Sequence, residues 1–546
     1  MIEEYAKLSL ERIQAFYEQF LLPRLGDKER TRTIIGSAAA VVLLYTVLDR
    51  ILLPARSVRH IPRVSYLSFM KNVFTGVKNP YFSRNLIIPL LEKENSNGIY
   101  MRPTHFGWSV FAANPAAIKT LLLRTDVFPK FDVTHGREGT LPVRFTRGPN
   151  LVFLNGADWK KQRKIANPAF HRSMPVNMFG TLTQHLFKVM DQMDDTVNIV
   201  DLMERWTLDA IGKAGFDFDF HSVEQPDNEW VNTYNSVMKG HLDPLFNFFP
   251  KLDQSFLWLF PERQRLHREL THFLAMLDNL ILHKREALKN QKPNPNLEEN
   301  EKDLLTLMIE SELNGEGAMS NEELMVCTYL SMWSLRMSLT RSITRTGHDT
   351  TANALSFAIY YLAVHQDIQQ RAREEALRIL GSEPVDVLPT VEQTKAMDYI
   401  NMVMKETLRL NGPAGEVFPR KTTKDIDLEG TVIPKGTLVT VDIYNLHRNP
   451  RVWQNPEEFN PERFAPGNEA DSKAGSGMSW IPFSSGGRQC IGMNFSLAEQ
   501  RVLLSMLLRK FTWTLPKNSP HAAALMTTTH GVQTAFKLEI TFTKRY

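Results

Sequence analysis

The feature that most restricts how this 546-residue chain can fold is a glycine-rich turn that contains one of its only two cysteines. The turn reads FSSGGRQCIG and runs from Phe483 to Gly492. Its glycines would let a planar molecule approach the backbone, and its amide groups could soften the charge of a thiolate at Cys490. Such a thiolate would serve either as a soft ligand for a metal such as iron or as a nucleophile. A nucleophile needs a positioned histidine, and none lies near Cys490 in the sequence, although a distant one could fold back.

The composition is that of a globular protein with a large hydrophobic core. Hydrophobic residues make up 43% and charged residues 23% of the chain, which excludes disorder over its whole length. A formal net charge of +4 is too small to argue for nucleic acid as a partner. Two cysteines cannot build a cysteine-based zinc site, and we expect Cys327 to act as a small buried hydrophobe. The sequence carries no GxGxxG or Walker motif that would indicate a nucleotide or flavin site.

An apolar stretch near the N-terminus predicts a membrane anchor. Residues 33–48, TIIGSAAAVVLLYTVL, carry no charge and would span about 24 Å as a helix, slightly less than the ~30 Å hydrocarbon core of a bilayer. Asp49 and Arg50 interrupt the stretch, but the arginine could snorkel and the following ILLP could extend the span. We therefore predict an amphipathic or polar segment over residues 1–32, a transmembrane anchor over residues 33–54 and one domain over residues 55–546. A buried core helix is the alternative, and basic residues on both sides leave the orientation undecided.

The domain that follows the anchor is predicted to be mainly helical. Helix-period patterns dominate its middle, while short β-like runs occur near residues 98–112, near residues 426–441 and at the C-terminus. These patterns predict a helix-rich architecture with a minor β part.

Four further motifs precede the cysteine turn in a fixed order. They are WKKQR at residues 159–163, TGHDTT at 346–351, ETLRL at 406–410 and FNPERF at 459–464. Together with the turn they resemble the cytochrome P-450 family, which has a Trp-x-x-x-Arg segment, an oxygen-activating helix, Glu-x-x-Arg, PxRF and a FxxGxRxCxG haem loop. Each motif alone is weak, whereas all five in order are highly specific, and the resemblance covers residues 60–546. It is greatest to eukaryotic membrane-bound members, fungal ones in particular, and it implies a mainly α fold with small β-sheets.

The resemblance implies that the domain binds haem b, iron protoporphyrin IX, with Cys490 as the axial ligand of the iron. The residues that it assigns to haem binding are Phe483, Gly486, Arg488, Cys490 and Gly492 of the turn, together with Trp159, Arg163 and Arg420. Haem carries two carboxylates, and carboxylates in a partly closed pocket need cationic partners. The three arginines are therefore expected to neutralise the haem carboxylates.

The Glu-x-x-Arg motif is expected to support the site rather than to act in it. Glu406 and Arg409 are three residues apart, so on a helix they share a face, and Arg463 can complete a carboxylate–guanidinium cluster with them. The resemblance implies that this cluster is buried and structural. A solvent-exposed helix pair is the alternative.

The TGHDTT segment is implied to activate oxygen, with catalytic roles for Gly347, Asp349 and Thr350. On a helix, Gly347 and Thr350 share a face, where a small residue leaves room for O2. The Thr350 hydroxyl could bond a water in place of the backbone and steer protons, with Asp349 helping to relay them. An ordinary helix with threonine bonded back to the chain is the alternative.

The function that the resemblance implies is hydroxylation of a lipophilic substrate by O2. Fatty acids, alkanes, sterols, terpenoids and xenobiotics are all compatible, and the pocket is expected near residues 142–145, 414–418 and 527–532. An aromatic-rich stretch over residues 216–260 would cap the pocket and touch the membrane, with ordinary core packing as the alternative. Two other functions remain open: a haem-thiolate isomerase or dehydratase that needs no reductase, and an inactive haem-binding protein.

Electrons would come from another protein, because the chain has no flavin or nicotinamide motif. The expected donor is a membrane-bound NADPH–cytochrome reductase, with cytochrome b5 as a further candidate. The basic run at Lys160 and Lys161 would attract its acidic flavin domain. The resemblance also implies a single-pass protein of the endoplasmic reticulum membrane, with the catalytic domain on the cytosolic face.

The sequence departs from the family just before the oxygen-activating motif. Thr346 stands where the family has alanine or glycine, and Arg336, Arg341 and Arg345 fall where a buried central helix is expected. Two explanations are open for residues 325–346. The segment loops out to the surface, or it is intron-derived sequence retained in a gene model, and sequencing of the mature transcript decides between them.

Overall fold

The computed structural model describes residues 27–93, 96–104, 106–146, 150–172, 174–241, 243–290, 301–313, 349–474, 477–528 and 532–546. Most of the predicted N-terminal amphipathic segment, residues 325–346 with Cys327, and Gly347 lie outside these residues. The chain divides into two compact units, Met1–His60 and Ile61–Tyr546.

The first unit contains a long helix, α1 (Asp27–Leu52), followed by a 3-10 turn (Arg56–Val58). Its stretch Arg32–Arg50 is long and apolar enough to cross a membrane, and none of that stretch is buried. A core helix would hide its large apolar side chains, so this exposure argues against the buried-core alternative. Arg59 Nη2 donates to Asp49 Oδ2 at 2.6 Å, which gives a partner to the acidic charge that interrupts the apolar run.

The second unit is mainly helical, as the sequence predicts. Its helices are α2 (Tyr66–Thr75), α3 (Asn79–Phe82), α4 (Ile88–Leu91), α5 (Pro115–Leu123), α6 (Leu141–Thr146), α7 (Gly156–Arg172), α8 (Val176–Met190), α9 (Ile199–Phe216), α10 (Glu229–His241), α11 (Pro244–Phe248), α12 (Pro250–Gln254), α13 (Pro261–Asn290), α14 (Leu304–Leu313), α15 (Asp349–Val364), α16 (Gln366–Leu380), α17 (Val391–Lys395), α18 (Asp398–Asn411), α19 (Ile443–Leu446), α20 (Glu469–Ala474) and α21 (Met493–Lys510). A π-helical turn (Ser83–Ile87) joins α3 to α4, and 3-10 turns cover Leu257–Leu259, Pro461–Phe464 and Gly486–Arg488.

Helix α15 lies at the centre of this unit. After Asp349 its sequence, TTANALSFAIYYLAV, contains no charged residue, and a helix that is apolar on all sides is stable only when it is surrounded. It packs against α9, α18 and α21, and its residues 352–363 are buried. The two threonines at its start are therefore held by a rigid core element.

The strands form small sheets at the edges of the helical core. They are β1 (Ile99–Thr104), β2 (Gly107–Ala112), β3 (Thr196–Asn198), β4 (Arg420–Lys421), β5 (Ile426–Leu428), β6 (Thr431–Ile433), β7 (Leu438–Val441), β8 (Phe511–Thr514) and β9 (Glu539–Lys544). One sheet has the order β1-β2-β7-β4, a second has the order β3-β9-β8, and β5 pairs with β6. In the first sheet β2 and β7 are parallel, and Arg420 pairs with Val439, which fixes the place of Arg420 in the fold.

Candidate functional site

Cys490 lies in a tight turn that leads directly into α21. The backbone amide of Cys490 donates to the carbonyl of Phe483 at 2.9 Å, which closes the turn. Gly486 has a φ of +70°, a conformation that side chains rarely adopt, so the local sequence favours this shape. A Cβ at Gly486 would also lie 3.1 Å from Leu123 Cδ2, because the turn packs closely on α5.

The Cys490 sulfur faces the inside of the protein. Its surface is exposed by area, yet burial is the largest influence on the thiol and raises its pKa. The two observations agree if the sulfur faces a space enclosed by protein atoms, because bulk water around it would leave the pKa unshifted. The Gly492 amide donates to the sulfur and the Arg163 guanidinium lies nearby, and both oppose the rise in pKa. A thiolate formed here has a hydrogen-bond donor and a cation to stabilise it.

Four basic side chains from separate segments converge beside the turn. Arg163 comes from α7, Arg420 from β4, Arg488 from the 3-10 turn and Lys130 from the segment between α5 and α6. The backbone of Lys130 forms an antiparallel bridge with Arg420. The Asn155 side-chain oxygen accepts from the Lys130 backbone amide at 3.0 Å and from Arg488 Nη2 at 3.3 Å. These contacts hold Lys130, Arg420 and Arg488 in one place, and the charge of Arg163 acts on Lys130 and Arg488 from nearby. We call these four cations the cationic cluster.

The members of the cationic cluster repel one another. Burial, together with the guanidiniums of Arg488, Arg420 and Arg163, lowers the pKa of Lys130 to about 7. Burial and the neighbouring arginines lower the pKa of Arg488 to about 10, and burial alone lowers that of Arg420 to about 10. No acidic side chain of the described ranges contributes to these three shifts.

The donors of the cationic cluster fit a bound dicarboxylate. Arg420 Nη1 donates to Phe128 O at 3.0 Å and Arg488 Nη2 donates to Leu154 O at 2.7 Å. In the part of the chain that the structure describes, Arg420 Nε and Nη2 and Arg488 Nη1 are buried without a hydrogen-bond partner. Buried cations without a counter-charge are costly, so this arrangement is suited to an anion. Haem b carries two carboxylates and an iron that a thiolate can bind, and it fits this set of donors.

Most of the residues predicted to bind haem come together in this region. The Arg488 guanidinium carbon lies 3.9 Å from the centroid of the Trp159 ring, so the ring supports the arginine from one side. Phe483 and Gly492 contribute backbone groups to the turn and to the sulfur, as described above. Lys130 is a member that the sequence reasoning missed, because no motif marks it and only its backbone bridge with Arg420 brings it into the cluster.

The predicted oxygen-activating residues begin the central helix. Asp349 is the first residue of α15, and Thr350 follows it with an exposed side chain. Thr351 Oγ1 lies 2.9 Å from Ser496 Oγ of α21, the helix that follows Cys490. Glu499, also on α21, is buried, and burial raises its pKa well above the usual range, opposed only in part by a hydrogen bond with Thr351. The sequence reasoning missed this polar contact between the two helices, for which the only signal was the polar side chains of FSLAEQ at the start of α21.

The Glu-x-x-Arg pair forms a fully buried network on α18. Arg409 donates to both carboxylate oxygens of Glu406, with distances of 2.7 and 2.9 Å. Arg463 Nε lies 3.3 Å from Glu406 Oε1, and the backbone amide of Asn460 donates to the same oxygen at 2.9 Å. Glu406 and Arg409 have no exposed surface, which the solvent-exposed alternative does not allow. Arg409 also donates to the His447 carbonyl at 2.7 Å, so the network ties α18 to the chain that leads towards the cysteine turn.

Comparisons with known proteins agree with this arrangement. The family model described as "Cytochrome P450" matches residues 98–536. Cytochrome P450 3A12 of Canis lupus familiaris is 29% identical over 418 residues, which cover 73% of this chain and 76% of that protein. Cytochrome P450 4F2 of Homo sapiens is 31% identical over 385 residues, which cover 67% of this chain and 69% of that protein. The solved structure described as "Crystal structure of cytochrome P450DA heme domain" has the same fold, with a TM-score of 0.69, 22% identity, and coverage of 89% of this chain and 97% of that one.

Proposed function

This chain belongs to the cytochrome P450 family, and from that premise we propose that it hydroxylates a lipophilic substrate with electrons from a separate NADPH–cytochrome reductase. It is a haem-dependent monooxygenase, with haem b as its cofactor. The observation that carries the proposal is the cationic cluster beside Cys490, whose buried and unpaired donors are suited to the two carboxylates of haem.

Within this proposal the residues of the cysteine turn hold the cofactor. Haem b, when bound, supplies the iron that activates O2, and a thiolate ligand favours cleavage of the O–O bond. We assign Cys490 as that ligand, with the Gly492 amide and Arg163 stabilising its negative charge. Arg420, Arg488 and Lys130 would neutralise the carboxylates, and Trp159 keeps Arg488 in place.

The start of α15 would handle protons. We assign Thr350 to hold a proton at its Oγ1 atom on the cofactor side of the pocket, with Asp349 relaying protons to it; Gly347, which precedes the described part of the helix, would leave space beside it. The support for Thr350 is the direction of its side chain. Consecutive residues on a helix point about 100° apart, so the contact of Thr351 with Ser496 leaves the Thr350 hydroxyl facing elsewhere. Helix α15 packs on α21, which follows the cysteine turn, and this packing fixes the position of Thr350 relative to that turn.

The proposed substrate is a lipophilic compound taken from the endoplasmic reticulum membrane. The segment that leads from α11 to α13 exposes large apolar side chains, among them Phe249, Phe256, Trp258 and Leu259, and Trp258 is 70% exposed. Such a surface favours contact with a bilayer. We propose that α1 crosses the membrane once and that the catalytic domain lies on the cytosolic side, where the reductase and NADPH are available.

The proposed electron donor would bind near α7. Lys160, Lys161 and Lys164 are exposed on this helix, which also carries Trp159 and Arg163 of the haem site. A basic surface next to the cofactor would attract an acidic flavin domain and shorten the path of the electrons.

The proposal is tested with the full-length protein purified in detergent and supplied with haem. We expect a reduced-plus-CO spectrum typical of thiolate ligation, and O2-dependent product formation from a panel of lipophilic compounds only when NADPH and reductase are both present. Cys490→Ser should remove the thiolate spectrum, while Cys327→Ser, which changes the other cysteine, should retain it. A protein that takes up no haem would contradict the proposal, and product formation without NADPH would favour the isomerase or dehydratase alternative.

A further inference from the structure

A fully buried carboxylate joins segments that are far apart in the sequence, away from the haem site. Asp253 lies in α12, and its side chain has no exposed surface. It accepts hydrogen bonds from the Leu141 backbone amide at 2.8 Å, from Arg263 Nε and Nη2 at 2.7 Å each, and from His267 Nε2 at 2.9 Å. Leu141 begins α6, whereas Arg263 and His267 lie on α13. One carboxylate therefore holds the start of α6 against the corner between α12 and α13.

A second set of contacts strengthens the same connection. Arg144 Nη1 of α6 lies 2.6 Å from His267 Nδ1, and Arg144 Nη2 donates to Thr271 Oγ1 at 2.8 Å. Because arginine only donates, His267 Nδ1 must accept, and the ring proton is then on Nε2 and points at Asp253. His267 thus bridges Arg144 to Asp253 through its two ring nitrogens.

Arg263 extends the connection to two further helices. It donates to the Gly240 carbonyl at the end of α10, and its guanidinium carbon lies 4.3 Å from the centroid of the Phe246 ring on α11. At Gly240 a Cβ would lie 3.1 Å from Leu141 Cδ2, so α6 and α10 are also in close contact. We call the group Leu141, Arg144, Asp253, Arg263 and His267 the Asp253 node.

The Asp253 node is a permanent charge network rather than a neutral one. Burial opposes ionisation of Asp253, but the hydrogen bonds from Arg263 and His267 outweigh it and hold the pKa of the carboxyl well below its usual range. A buried network of this kind is stable when all its members are paired, and the loss of one member leaves the others buried without a partner. The segments that it joins are therefore expected to separate together or not at all.

We propose that Asp253 is a positioning residue that fixes the wall of the substrate pocket to its roof and so limits how fast lipophilic molecules enter and leave. The wall is α6, which contains residues 142–145 of the expected pocket, and the roof is the apolar segment of α11, α12 and the start of α13. This inference rests on the proposed function, because the wall and the roof are the parts of the pocket that the resemblance to the family implies.

The test uses the full-length haem protein and 1-dodecylimidazole, whose imidazole binds haem iron and shifts the Soret band while its alkyl chain fills the pocket. Asp253→Asn keeps the shape of the side chain and removes its charge. Loss of charge-assisted hydrogen bonds predicts that dissociation of 1-dodecylimidazole becomes about tenfold faster, with unchanged haem content. Imidazole itself, which is small, should dissociate at the same rate from both proteins.

A matched control comes from the exposed start of α13, the helix that follows α12. Glu262 pairs with Arg265 on the surface of α13, so Glu262→Gln makes the same chemical change at an exposed ion pair. Hydrogen exchange gives a second readout that needs no ligand: the amides of residues 141–146 should exchange faster in Asp253→Asn and not in Glu262→Gln. Faster exchange over the whole domain would mean a general loss of stability and would overturn the proposal, as would an unchanged dissociation rate.

A second variant covers the case in which Asp253→Asn fails to fold. His267→Gln removes the acceptor for Arg144 and leaves the Asp253–Arg263 pair intact, so it should change both readouts in the same direction by a smaller factor. No change in either readout for this variant would also overturn the proposal. Failure of the proposed function has a different signature: the natural protein would form no O2-dependent product with NADPH and reductase, while the dissociation rates of 1-dodecylimidazole could still be measured on every variant.

Discussion

The hydroxyl of Thr351 lies 2.9 Å from the hydroxyl of Ser496, and this contact joins the central helix α15 to the helix that follows Cys490. It assigns different roles to two adjacent threonines. Thr351 is engaged in packing two core helices, whereas Thr350 is exposed and points in another direction. The pair therefore offers a direct comparison between a structural hydroxyl and a candidate catalytic one.

Thr350→Ala should lower the yield of product per NADPH consumed, because the hydroxyl that we assign to hold a proton in the pocket is removed. We expect a loss of about tenfold or more, with the missing electrons recovered as hydrogen peroxide. Thr351→Ala serves as the control and should cost about 1 kcal/mol of stability while leaving the yield per NADPH near that of the natural protein. Equal yields from the two variants would show that Thr350 has no special role.

Lys130→Met and Arg420→Gln should weaken haem binding. Each removes a cation that we assign to the haem carboxylates, and a lost charge-assisted hydrogen bond predicts about tenfold faster release of haem. Lys130→Arg keeps the charge and should retain the cofactor. The measurement is the haem-to-protein ratio after gel filtration, together with the rate of haem transfer to an acceptor protein. Retention of haem by Lys130→Met would remove this residue from the site.

Glu406→Gln should destabilise the fold strongly, since it leaves Arg409 and Arg463 buried without their shared carboxylate. Breaking a buried ion pair costs about 3–5 kcal/mol. The matched control is Glu462→Gln, which disrupts the exposed pair with Arg371 and should cost less than about 1 kcal/mol. Thermal loss of the Soret band compares the two variants, and a similar cost for both would contradict a structural role for the buried cluster.

Replacement of Lys160 and Lys161 by glutamate should slow reduction of the haem by the reductase, because the charge that attracts an acidic partner is reversed. The effect should shrink as ionic strength rises, since salt screens exposed charges. Lys188→Glu alters an exposed lysine on α8 and provides the control. Stopped-flow reduction under CO measures the rate. An unchanged rate in the double variant at low salt would exclude α7 as the docking surface.

Glu499→Gln should change how stability depends on pH. Burial raises the pKa of Glu499, so between the unfolded pKa of about 4.3 and the higher folded pKa the folded protein binds more protons than the unfolded chain. Stability contributed by the neutral carboxyl is therefore complete below the unfolded pKa and is lost as pH rises towards the folded pKa. The amide cannot ionise, so the variant should gain stability relative to the natural protein between pH ~5 and pH ~8. Urea midpoints at both values test this, and a constant difference would argue against a neutral Glu499.

The amino-acid sequence by itself determined the class of protein and the local parts of the site. The cysteine turn depends on glycines next to Cys490, the buried pair of α18 depends on a spacing of three residues, and the central position of α15 follows from a helix without charged side chains after Asp349. Each of these is a property of neighbouring residues, and periodicity and turn chemistry can be read locally.

Only the tertiary structure decided which distant groups meet. Lys130 joins the cationic cluster through a backbone bridge to Arg420, Glu499 contacts Thr351 across two helices, and Asp253 binds an amide that begins a helix 112 residues away in the sequence. In the sequence these residues look like ordinary charged side chains, which are usually exposed. Their burial and their partners depend on how separate segments pack, and that packing is a long-range property which local patterns do not contain.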